Sequence, residues 1–470
     1  MAESSSKSST PKRAIKTISL PHTHKLWPVV KEKLQKVAEK KELGPDALAG
    51  VILVSPEWGL DKPPVLSVLK KVLGKGDYYT VESFSEDILP YIAKRALAVE
   101  ELFSDHEGIP LLLSGANGFV SFNRYQTSCI LALAFFHLLP RSGTHSSRYQ
   151  QLSLIDILEA GFFQAQQSKC LCILGYFDRL VKSEREGDED FMKRRISIER
   201  RALGREMSSV DYWKNSDVLL GGFDVSASGV IEEHDGALQV DFANEYIGGG
   251  VLQQGNVQEE IRFVINPECL VSLLVCEAMY KHESILITGA ERFSSYRGYG
   301  GGFTYAGPYT DPNPVDPVSN RCIVSIVAID AIPAAWLPGG ASYQFKSDAI
   351  LRETCKAYCG FSFSDVPSDA GGNRSPVATG NWGCGAFGGN KLLKTLVQWM
   401  SASQANRSLC YYTFGDTGLS EKQVKMKECL LEAKVTVGQL FGVLAEEDFA
   451  DRAREKGIFE YVMEKLGKDK

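Results

Sequence analysis

The chain has little of what would place it in several common protein classes. Its eleven cysteines form no CxxC pair, and no histidine joins them at the spacing of a zinc site. Lys and Arg number 52 against 58 Asp and Glu, a net charge of −6, so no overall basic field would recruit nucleic acid. The most apolar run, Cys129–Leu139, has only about half the length of a membrane span. We therefore expect a globular protein with no membrane span and no direct contact to nucleic acid.

The cysteines and the start of the chain bear on the cellular compartment. Most cysteines lie in apolar segments, as the reduced thiols of an intracellular protein do. No signal-peptide pattern opens the chain. Residues 1–20 are rich in Ser, Lys and Thr and predict a disordered tail, in which Pro11-Lys12-Arg13 is either a nuclear import signal or a solvated cluster. We expect a protein of the nucleus, the cytoplasm or both.

The first part of the chain has helical periodicity. Apolar residues recur at intervals of three and four between residues 26 and 37, which is the spacing of one helix face. A further helix is predicted at Phe119–Arg141. These patterns predict a helical accessory domain over residues 21–165.

After residue 165, strand-like and helix-like segments mix. This predicts an α/β domain over residues 166–470, with a mixed, mostly parallel β-sheet flanked by helices on both faces. Lys182–Arg195 is predicted as an exposed connection and Ala306–Asn320 as a surface loop. The predicted strands are Cys170–Phe177, Ile196–Ile198, Val218–Val225, Gly236–Phe242, Ile285–Thr288, Cys322–Ile329 and Leu409–Phe414, and the predicted helices are Pro267–Tyr280, Ala349–Tyr358 and Leu392–Met400.

The stretch Asp241–Phe263 carries the strongest indication of a site. A predicted strand leads into three glycines, Gly248–Gly250. After seven intervening residues, Gln258 precedes the carboxylates of Glu259 and Glu260. Consecutive glycines let the backbone approach a ligand closely. Two carboxylates that face one cavity repel, so one of them tends to hold a proton that it can donate. Without that context, an adjacent glutamate pair is a solvated surface pair.

The residues after this pair favour the site. Ile261, Phe263 and Ile265 alternate as in a buried strand, which predicts that the two glutamates stand at the mouth of a buried element. In an extended backbone their side chains would point to opposite sides.

A second glycine-rich segment, Ala378–Gly389, reads A-T-G-N-W-G-C-G-A-F-G-G and leads into a predicted helix. Such a turn presents backbone N–H groups at the positive end of a helix dipole, which suits a diphosphate without Lys or Arg. An acidic protein could hold an anionic ligand in this way.

The same glycines allow a rival interpretation. Gly383, Gly385 and Gly388 spell G-x-G-x-x-G before a helix, and Asp416 follows the next strand, as in a dinucleotide-binding oxidoreductase. That motif requires a preceding strand, and Pro367–Ser375 is polar and glycine-rich. The context therefore disfavours this interpretation.

A third segment, Thr288–Tyr305, places tyrosines at 296, 299 and 305 among several glycines. This composition is typical of a mobile lid that presents aromatic faces to a base. The alternative is a flexible loop with tyrosines packed on the surface.

The glycines with their glutamate pair, G-G-G-x7-Q-E-E, resemble the signature of the poly(ADP-ribose) glycohydrolases, and the run Gly380–Gly389 is closely similar to a glycine-rich run of the same family. Weaker likenesses are the polar-then-apolar segment before Pro140-Arg141, Val230-Ile231-Glu232 and Tyr412–Asp416. The resemblance covers nearly everything after residue 119. It implies a macrodomain-like catalytic domain that hydrolyses ribose-ribose O-glycosidic bonds of poly(ADP-ribose) and releases ADP-ribose.

The resemblance also implies the roles of individual residues. Glu260 would be the general acid that later activates water, Glu259 would bind ribose hydroxyls, and Asp241 and Asn244 would support the site. Phe414, by itself a candidate for core packing, would stack on adenine, and Tyr299 would cover the adenosine. The other substrate-binding residues implied are Ile231, Glu232, Gly249, Gly250, Gln258, Asn381, Gly383, Cys384, Gly385, Ala386 and Phe387.

Two other activities stay open at this point. A macrodomain could bind ADP-ribose without cleaving it, although recognition alone needs no acidic proton donor, and the chain could hydrolyse mono-ADP-ribosyl linkages on proteins. No histidine joins a Ser or Cys and an acid in a nucleophilic arrangement. We expect no cofactor and no metal, a monomer, and poly(ADP-ribose) on modified proteins as the partner.

Overall fold

The structure is a computed structural model that describes residues 16–54, 64–104, 108–140, 148–159, 161, 163–364 and 374–467. The basic cluster at 11–13 lies outside the described residues, as does most of the polar segment 367–375. No helix in the described ranges is both long enough and apolar enough to cross a membrane.

The N-terminal part is helical, as predicted, and its helices share one apolar core with one face of the main sheet. Its core side chains include Leu34, Ile52 and Ile92, all fully buried. Its helices are α1 (Trp27–Ala38), α2 (Gly44–Leu53), α3 (Ser67–Lys75), α4 (Val81–Ser83), α5 (Leu89–Leu97), α6 (Val99–Leu102), α7 (Arg124–Phe135), α8 (Ile155–Glu159), α9 (Gln164–Arg185) and α10 (Glu189–Lys193).

The rest of the chain is built on a mixed sheet of nine strands in the order β3-β4-β7-β11-β6-β12-β13-β5, with β10 paired to β11. The other strands form two two-stranded sheets, β1 with β2 and β8 with β9. The strands are β1 (Thr17–Ile18), β2 (Ile109–Pro110), β3 (Gly118–Asn123), β4 (Arg195–Ala202), β5 (Phe223–Ser226), β6 (Leu238–Asp241), β7 (Glu283–Gly289), β8 (Ser294–Arg297), β9 (Thr304–Pro308), β10 (Val315–Asp316), β11 (Arg321–Ala328), β12 (Val377–Gly380) and β13 (Leu409–Tyr412).

Helices cover both faces of this sheet. In β7, Ile285 and Ile287 pack into the core that contains the N-terminal helices, whereas Leu286 packs into the second core, because alternate side chains of a strand point to opposite faces. The α/β prediction is confirmed. The helices of this part are α11 (Val210–Lys214), α12 (Gln258–Ile265), α13 (Val271–Val275), α14 (Ser347–Phe361), α15 (Lys391–Gln404), α16 (Thr417–Glu432), α17 (Val437–Leu444), α18 (Phe449–Lys456) and α19 (Ile458–Leu466).

The parallel half of the sheet determines where a site can form. Strands β11, β6, β12, β13 and β5 pair in parallel, so their carboxyl ends meet at one edge. In open α/β sheets, ligands bind outside that edge.

Several local predictions were wrong. Cys170–Phe177 lies inside α9 rather than in a strand, because a fully buried apolar run has no periodicity that separates the two structures. Phe119–Arg141 begins as β3 before α7 starts at Arg124. Lys182–Arg195 continues α9 and forms α10.

Three further segments are only partly as predicted. Val218–Val225 becomes strand only from Phe223. Pro267–Tyr280 is a 3-10 turn followed by the five-residue α13. Ala306–Asn320 contains the end of β9 and the whole of β10.

The end of the predicted tail differs from the structure. Thr17 and Ile18, assigned to the tail, pair with β2, and Leu20 is buried. The domain boundary at residue 165 stays a prediction. Strand β3 lies before it and pairs with β4 in the main sheet.

A buried ion pair joins helix α7 to the segments that follow α12 and β7. Arg124 of α7 is 1% exposed, and its Nε and Nη2 donate to Glu268 Oε1 and Oε2 at 2.8 and 3.2 Å. Glu291 lies 3.2 Å from the same guanidinium and also pairs with Arg194. Both glutamates are nearly fully buried, and Glu268 depends on Arg124 for the compensation of its charge.

We expect Arg124→Met to lower the free energy of unfolding by about 3–5 kcal/mol, because it leaves the buried carboxylate of Glu268 without its cationic partner. The matched control is Arg185→Met, which breaks the exposed pair with Asp87 and should cost less than about 1 kcal/mol. Urea denaturation of both variants tests this. Equal losses would show that the buried pair carries no special stability.

Candidate active site

A cavity of about 800 Å³ lies at the carboxyl edge of the parallel strands. It is lined by the segments that follow β6, β12 and β13 and by the loop between β8 and β9. All the sequence-predicted site residues line it except Asp241, which is buried beneath: Ile231, Glu232, Asn244, Gly249, Gly250, Gln258, Glu259, Glu260, Tyr299, Asn381, Gly383, Cys384, Gly385, Ala386, Phe387 and Phe414.

The glutamate pair lies in the first turn of helix α12, and the predicted strand after it was wrong. Ile261, Phe263 and Ile265 are all helical and buried. Because every residue from Glu259 to Ile265 is buried, the apolar pattern could not separate helix from strand. The two carboxylates are therefore neighbours on one helix end and do not point to opposite sides of an extended chain.

Glu259 is held from both sides by backbone N–H groups. Asn244 N–H donates to Oε2 at 2.9 Å and Gly248 N–H donates to Oε1 at 2.6 Å. The side chain is 3% exposed. A carboxylate in this position also interacts favourably with the positive end of the helix dipole.

Glu260 is held in a similar way at the next position. Gly250 N–H donates to Oε1 at 3.0 Å and Val257 N–H donates to Oε2 at 2.9 Å. The second of these bonds caps the start of α12, because Val257 is the residue before its first turn. The position of the Glu260 carboxylate and the start of α12 therefore depend on each other.

The glycines are required for this close approach. Gly249 has φ +51°, and a Cβ there would lie 2.5 Å from Glu259 Oε2 and 2.6 Å from Glu260 Oε1. A Cβ on Gly255 would lie 2.7 Å from Glu260 Cδ. The loop from Gly248 to Gly255, called the glycine loop below, thus wraps both carboxylates.

Asp241 ends β6 directly beneath this pair and is fully buried. No backbone or amide donor among the described residues hydrogen-bonds to its two oxygens. Burial, together with the charge of Glu260, raises the pKa of Asp241 to about 8. Burial, Asp241 and Glu260 also raise the pKa of Glu259 well above its ordinary value. Since two adjacent buried carboxyls avoid repulsion by keeping a proton, Asp241 and Glu259 together retain one near neutral pH.

Two of the predicted binding side chains serve the backbone. Gln258 donates its amide to Val240 O at 3.0 Å and accepts from Phe242 N–H at 2.9 Å, so it joins the start of α12 to the end of β6. Asn244 Oδ1 accepts from Tyr246 N–H at 3.0 Å. Both residues orient the site.

The second glycine-rich segment connects β12 to α15. Trp382 anchors it by donating from Nε1 to Ile329 O at 2.8 Å, and Asn381 accepts from Tyr411 Oη at 3.0 Å. The backbone N–H groups of Gly385, Ala386 and Phe387 have no hydrogen bond to another described residue. They are available to an anion, as predicted for this turn.

The same connection bears on the oxidoreductase interpretation. The strand that this interpretation requires is present, since β12 lies directly before the glycines and runs parallel to β13. The stated reason for disfavouring it was therefore wrong. Asp416, however, caps α16 by accepting from Leu419 N–H at 3.0 Å and pairs with Lys391 at 2.8 Å, so its carboxylate is already engaged.

Two aromatic rings meet at the mouth of the cavity. Tyr299 lies at the tip of the β8–β9 hairpin, and its ring centroid is 5.1 Å from that of Phe414. The Tyr299 hydroxyl accepts from Gln258 N–H at 3.1 Å. Phe414 is 65% exposed and has φ +56°, so it is a surface ring facing the cavity and not part of the core.

On the neighbouring wall, Tyr296 donates its hydroxyl to Glu232, next to the buried Ile231. The hairpin is therefore tied to the site at two tyrosines. The third, Tyr305, is buried in the N-terminal core.

Sequence analysis missed the residues that hold the site from behind. Gln150, Gln166 and Lys169 of the N-terminal part hydrogen-bond to backbone carbonyls of the segment 246–253. Lys394 of α15 is buried beneath the second glycine-rich segment, 3.8 Å from the Trp382 ring centroid. A lysine among the apolar positions of α15 is the signal that could have identified Lys394. The polar start of α9 and the irregular segment at Gln150 carry no such signal.

No three His, Cys, Asp or Glu side chains within the described part of the chain are arranged to hold a metal ion. The cavity is lined by carboxyl groups and backbone N–H donors. Together with a mixed sheet covered by helices, this defines a macrodomain-type enzyme site.

Comparison with known proteins identifies the family. A family model described as "Poly (ADP-ribose) glycohydrolase (PARG), Macro domain fold" matches residues 210–421, and one described as its "helical domain" matches residues 77–200. The chain is 34% identical over 440 residues to poly(ADP-ribose) glycohydrolase 1 of Arabidopsis thaliana, which covers 77% of each chain. It is 31% identical to the probable poly(ADP-ribose) glycohydrolase 2 of the same plant over 82% of each chain. It is 32% identical to poly(ADP-ribose) glycohydrolase 2 of Caenorhabditis elegans over 74% of this chain and 69% of that one.

The chain belongs to the poly(ADP-ribose) glycohydrolase family and is a glycosidase. This confirms the resemblance stated above and the macrodomain fold with a helical N-terminal part.

The raised pKa of Asp241 predicts how stability depends on pH. The folded-state pKa of about 8 lies above the ordinary 3.8, so this group's contribution to stability is full below about pH 4 and is lost as the pH rises towards about 8. Asp241→Asn removes that titration. We expect the melting temperature of the wild type to fall relative to that of the variant, by at least about 2 °C, between about pH 5 and pH 8.

Asp235→Asn in the exposed turn before β6 is the control, and its melting temperature should follow that of the wild type at each pH. A constant difference between wild type and Asp241→Asn across the range would refute the retained proton.

Proposed function

We propose that this protein hydrolyses the ribose-ribose O-glycosidic bonds of poly(ADP-ribose) and releases ADP-ribose. One observation carries the proposal: the buried carboxyl cluster of Asp241, Glu259 and Glu260 opens into the same cavity as a turn with free backbone N–H groups. The first supplies the proton chemistry of a glycosidase, and the second suits a diphosphate.

In this proposal, ADP-ribose binds in the cavity in a single orientation. Its adenine lies by Ile231 and Glu232 and stacks on the exposed ring of Phe414, and Tyr299 covers the adenosine. Its diphosphate lies on the turn of Gly383, Cys384, Gly385, Ala386 and Phe387, with Asn381 supporting that turn. The second ribose then reaches Glu259 and the backbone of Gly249 and Gly250.

An acidic protein can hold this ligand through neutral donors. The net charge is −6, but the N–H groups of Gly385, Ala386 and Phe387 are directed by the fold and need no lysine. Affinity for the diphosphate is therefore expected to depend less on salt than a lysine-based phosphate site would.

Glu260 is assigned as the general acid. As the bond between C1″ and the 2′-oxygen breaks, the Glu260 carboxyl gives its proton to the leaving oxygen, and the ribosyl ring gains oxocarbenium character. The resulting carboxylate then takes a proton from the water that attacks C1″, which restores the acid. Each turnover consumes one water and leaves the carboxyl unchanged.

Glu259 and Asp241 have supporting roles. Glu259, which lies against Asp241 and is bound by the N–H groups of Asn244 and Gly248, is assigned to binding ribose hydroxyls. Asp241, with a pKa of about 8, holds a proton that limits the charge beneath the pair.

We also infer that the protein works as a monomer in the nucleus or the cytoplasm, without direct contact to nucleic acid. All eleven cysteines are free thiols, and eight of them are buried, which agrees with a reducing compartment. The acidic net charge supports the same view.

We expect Glu260→Gln to lower the rate of ADP-ribose release by about 10²–10⁴-fold, because the amide cannot donate the proton. ADP-ribose binding, followed by calorimetry, should be largely retained. The control is Glu428→Gln on the exposed side of α16, which should leave both quantities unchanged. A Glu260→Gln rate above about a tenth of the wild-type rate would rule out Glu260 as the acid.

The substrate is tested with protein that carries poly(ADP-ribose), incubated with a chelator present. Release of ADP-ribose by the wild type supports the proposed reaction. Retention of polymer with no release would make the protein a reader of ADP-ribose. Release only from mono-ADP-ribosylated protein would support the other hydrolase activity.

The glycine loop gives a second prediction. Gly249→Ala would place Cβ 2.5 Å from Glu259 Oε2, so the carboxylates must move, and we expect kcat to fall about 10²-fold. Gly301→Ala is the matched control, because Gly301 lines the same cavity and a Cβ there has nothing within 4 Å. Equal activities of the two variants would show that activity does not require the close approach of the glycine loop to the carboxylates.

A further inference from the structure

A buried lysine of the helical part contacts the glycine loop. Lys169 of α9 is 1% exposed, and its Nζ donates to Val251 O at 3.0 Å and to Gln253 O at 2.8 Å. A lysine is rarely buried so completely unless its charge is compensated. Here two carbonyls of the loop accept its hydrogen bonds.

The neighbouring residue on the same helix makes a comparable contact without a charge. Gln166, one turn before Lys169, donates from Nε2 to the same Gln253 O at 2.6 Å and is also 1% exposed. Two side chains of α9 therefore hold one carbonyl of the glycine loop, one charged and one neutral.

These contacts lie next to the hydrogen bond that the glycine loop makes to Glu260. The glycine loop begins with the residues whose N–H groups bind the carboxylates, and Gly250 donates to Glu260 Oε1 at 3.0 Å. The next residue, Val251, is the first one tied to Lys169. Anchoring its carbonyl limits rotation of the peptide units on either side, so the Gly250 N–H stays directed at Glu260.

Lys169 also supplies a charge. Among the described residues, Asp241 from β6, Glu259 from α12, Tyr299 from the hairpin and Lys169 from α9 interact electrostatically with Glu260. Two of these four are carboxyl groups and Tyr299 is a neutral phenol, so Lys169 is the cation among them. Burial lowers the pKa of Lys169 to about 8 and Glu260 opposes that shift, so the amine is mostly charged at neutral pH.

We propose that Lys169 is a positioning residue of the active site, which fixes the glycine loop through the carbonyls of Val251 and Gln253 and sets a positive charge against Glu260. The inference rests on the proposed glycohydrolase function. It assigns the helical part a direct share in catalysis, because the residue that steadies the loop and balances its acids comes from α9.

The charge has a definite place in the reaction. After Glu260 has protonated the leaving oxygen, it must persist as a carboxylate among Asp241 and Glu259 until water attacks. A neighbouring cation stabilises that ionised state. Loss of the Lys169 charge therefore raises the pH at which the carboxyl cluster releases its proton.

The test compares Lys169→Met with Gln166→Leu, using release of ADP-ribose from polymer-bearing protein. Both changes remove a hydrogen bond to Gln253 O, but only the first removes a charge. We expect both to lower kcat, Lys169→Met by about 10-fold or more. The pH profile of kcat/KM should move to higher pH, by about half a unit or more, in Lys169→Met alone. Lys169→Arg keeps the charge and should keep the wild-type pH profile.

Two outcomes would overturn the proposal. Wild-type kcat in Lys169→Met would show that the lysine does not position the loop. Superimposable pH profiles for Lys169→Met and Gln166→Leu would show that Lys169 is only an anchor. If Lys169→Met melts well below the wild type, Lys169→Gln, which keeps a donor but no charge, gives the same comparison.

The wild-type assay separates this proposal from the proposed function. Absence of ADP-ribose release by the wild type removes the function itself. Release by the wild type, together with unaltered kcat or unshifted profiles in the Lys169 variants, removes the inference about Lys169 and leaves the function standing.

Discussion

Burial of three carboxyl groups at one point is the constraint on which the rest of this structure depends. Asp241, Glu259 and Glu260 are 0%, 3% and 6% exposed, and isolated buried carboxylates are strongly unfavourable. The fold compensates in two ways. Backbone N–H groups are turned towards Glu259 and Glu260, and a retained proton reduces the charge shared by Asp241 and Glu259.

That compensation dictates the local chain path. N–H groups can converge on two side chains only where the backbone makes tight turns without Cβ atoms, which explains Gly248 and Gly249 with positive φ. It also needs a helix start, where N–H groups have no partner within the helix, and α12 supplies one at the end of β6. The loop shaped in this way buries Val251 and Leu252 in the core, and side chains of the helical part hydrogen-bond to its carbonyls.

From the sequence, the residues of the site could be predicted more completely than the secondary structure that carries them. The family signature identified residues that line one cavity, among them the carboxylates, the second glycine-rich turn, Tyr299 and Phe414, because the signature depends on residue type and spacing along the chain. It did not reveal that Glu259 and Glu260 start a helix, since Ile261–Ile265 is buried on all sides and carries no readable periodicity. The same physical reason made Cys170–Phe177 look like a strand.

The contacts from α9 could not be predicted because they join residues far apart in sequence. Lys169 follows a polar segment, directly before the apolar run that begins at Cys170, and its partners Val251 and Gln253 contribute only main-chain carbonyls, which the sequence does not reveal. Gln258 shows the opposite case. Its position was identified, but its side chain serves the end of β6, a role that only the fold could reveal.

The contact between Tyr299 and Phe414 has a consequence for turnover. The two rings, 5.1 Å apart, pack against each other, an interaction worth about 0.5–1.5 kcal/mol. In the proposed binding mode, an adenine that stacks on Phe414 replaces this contact between the rings. We therefore expect the lost contact to offset part of the stacking free energy, so that ADP-ribose binds less tightly and leaves sooner than it would from rings that did not touch.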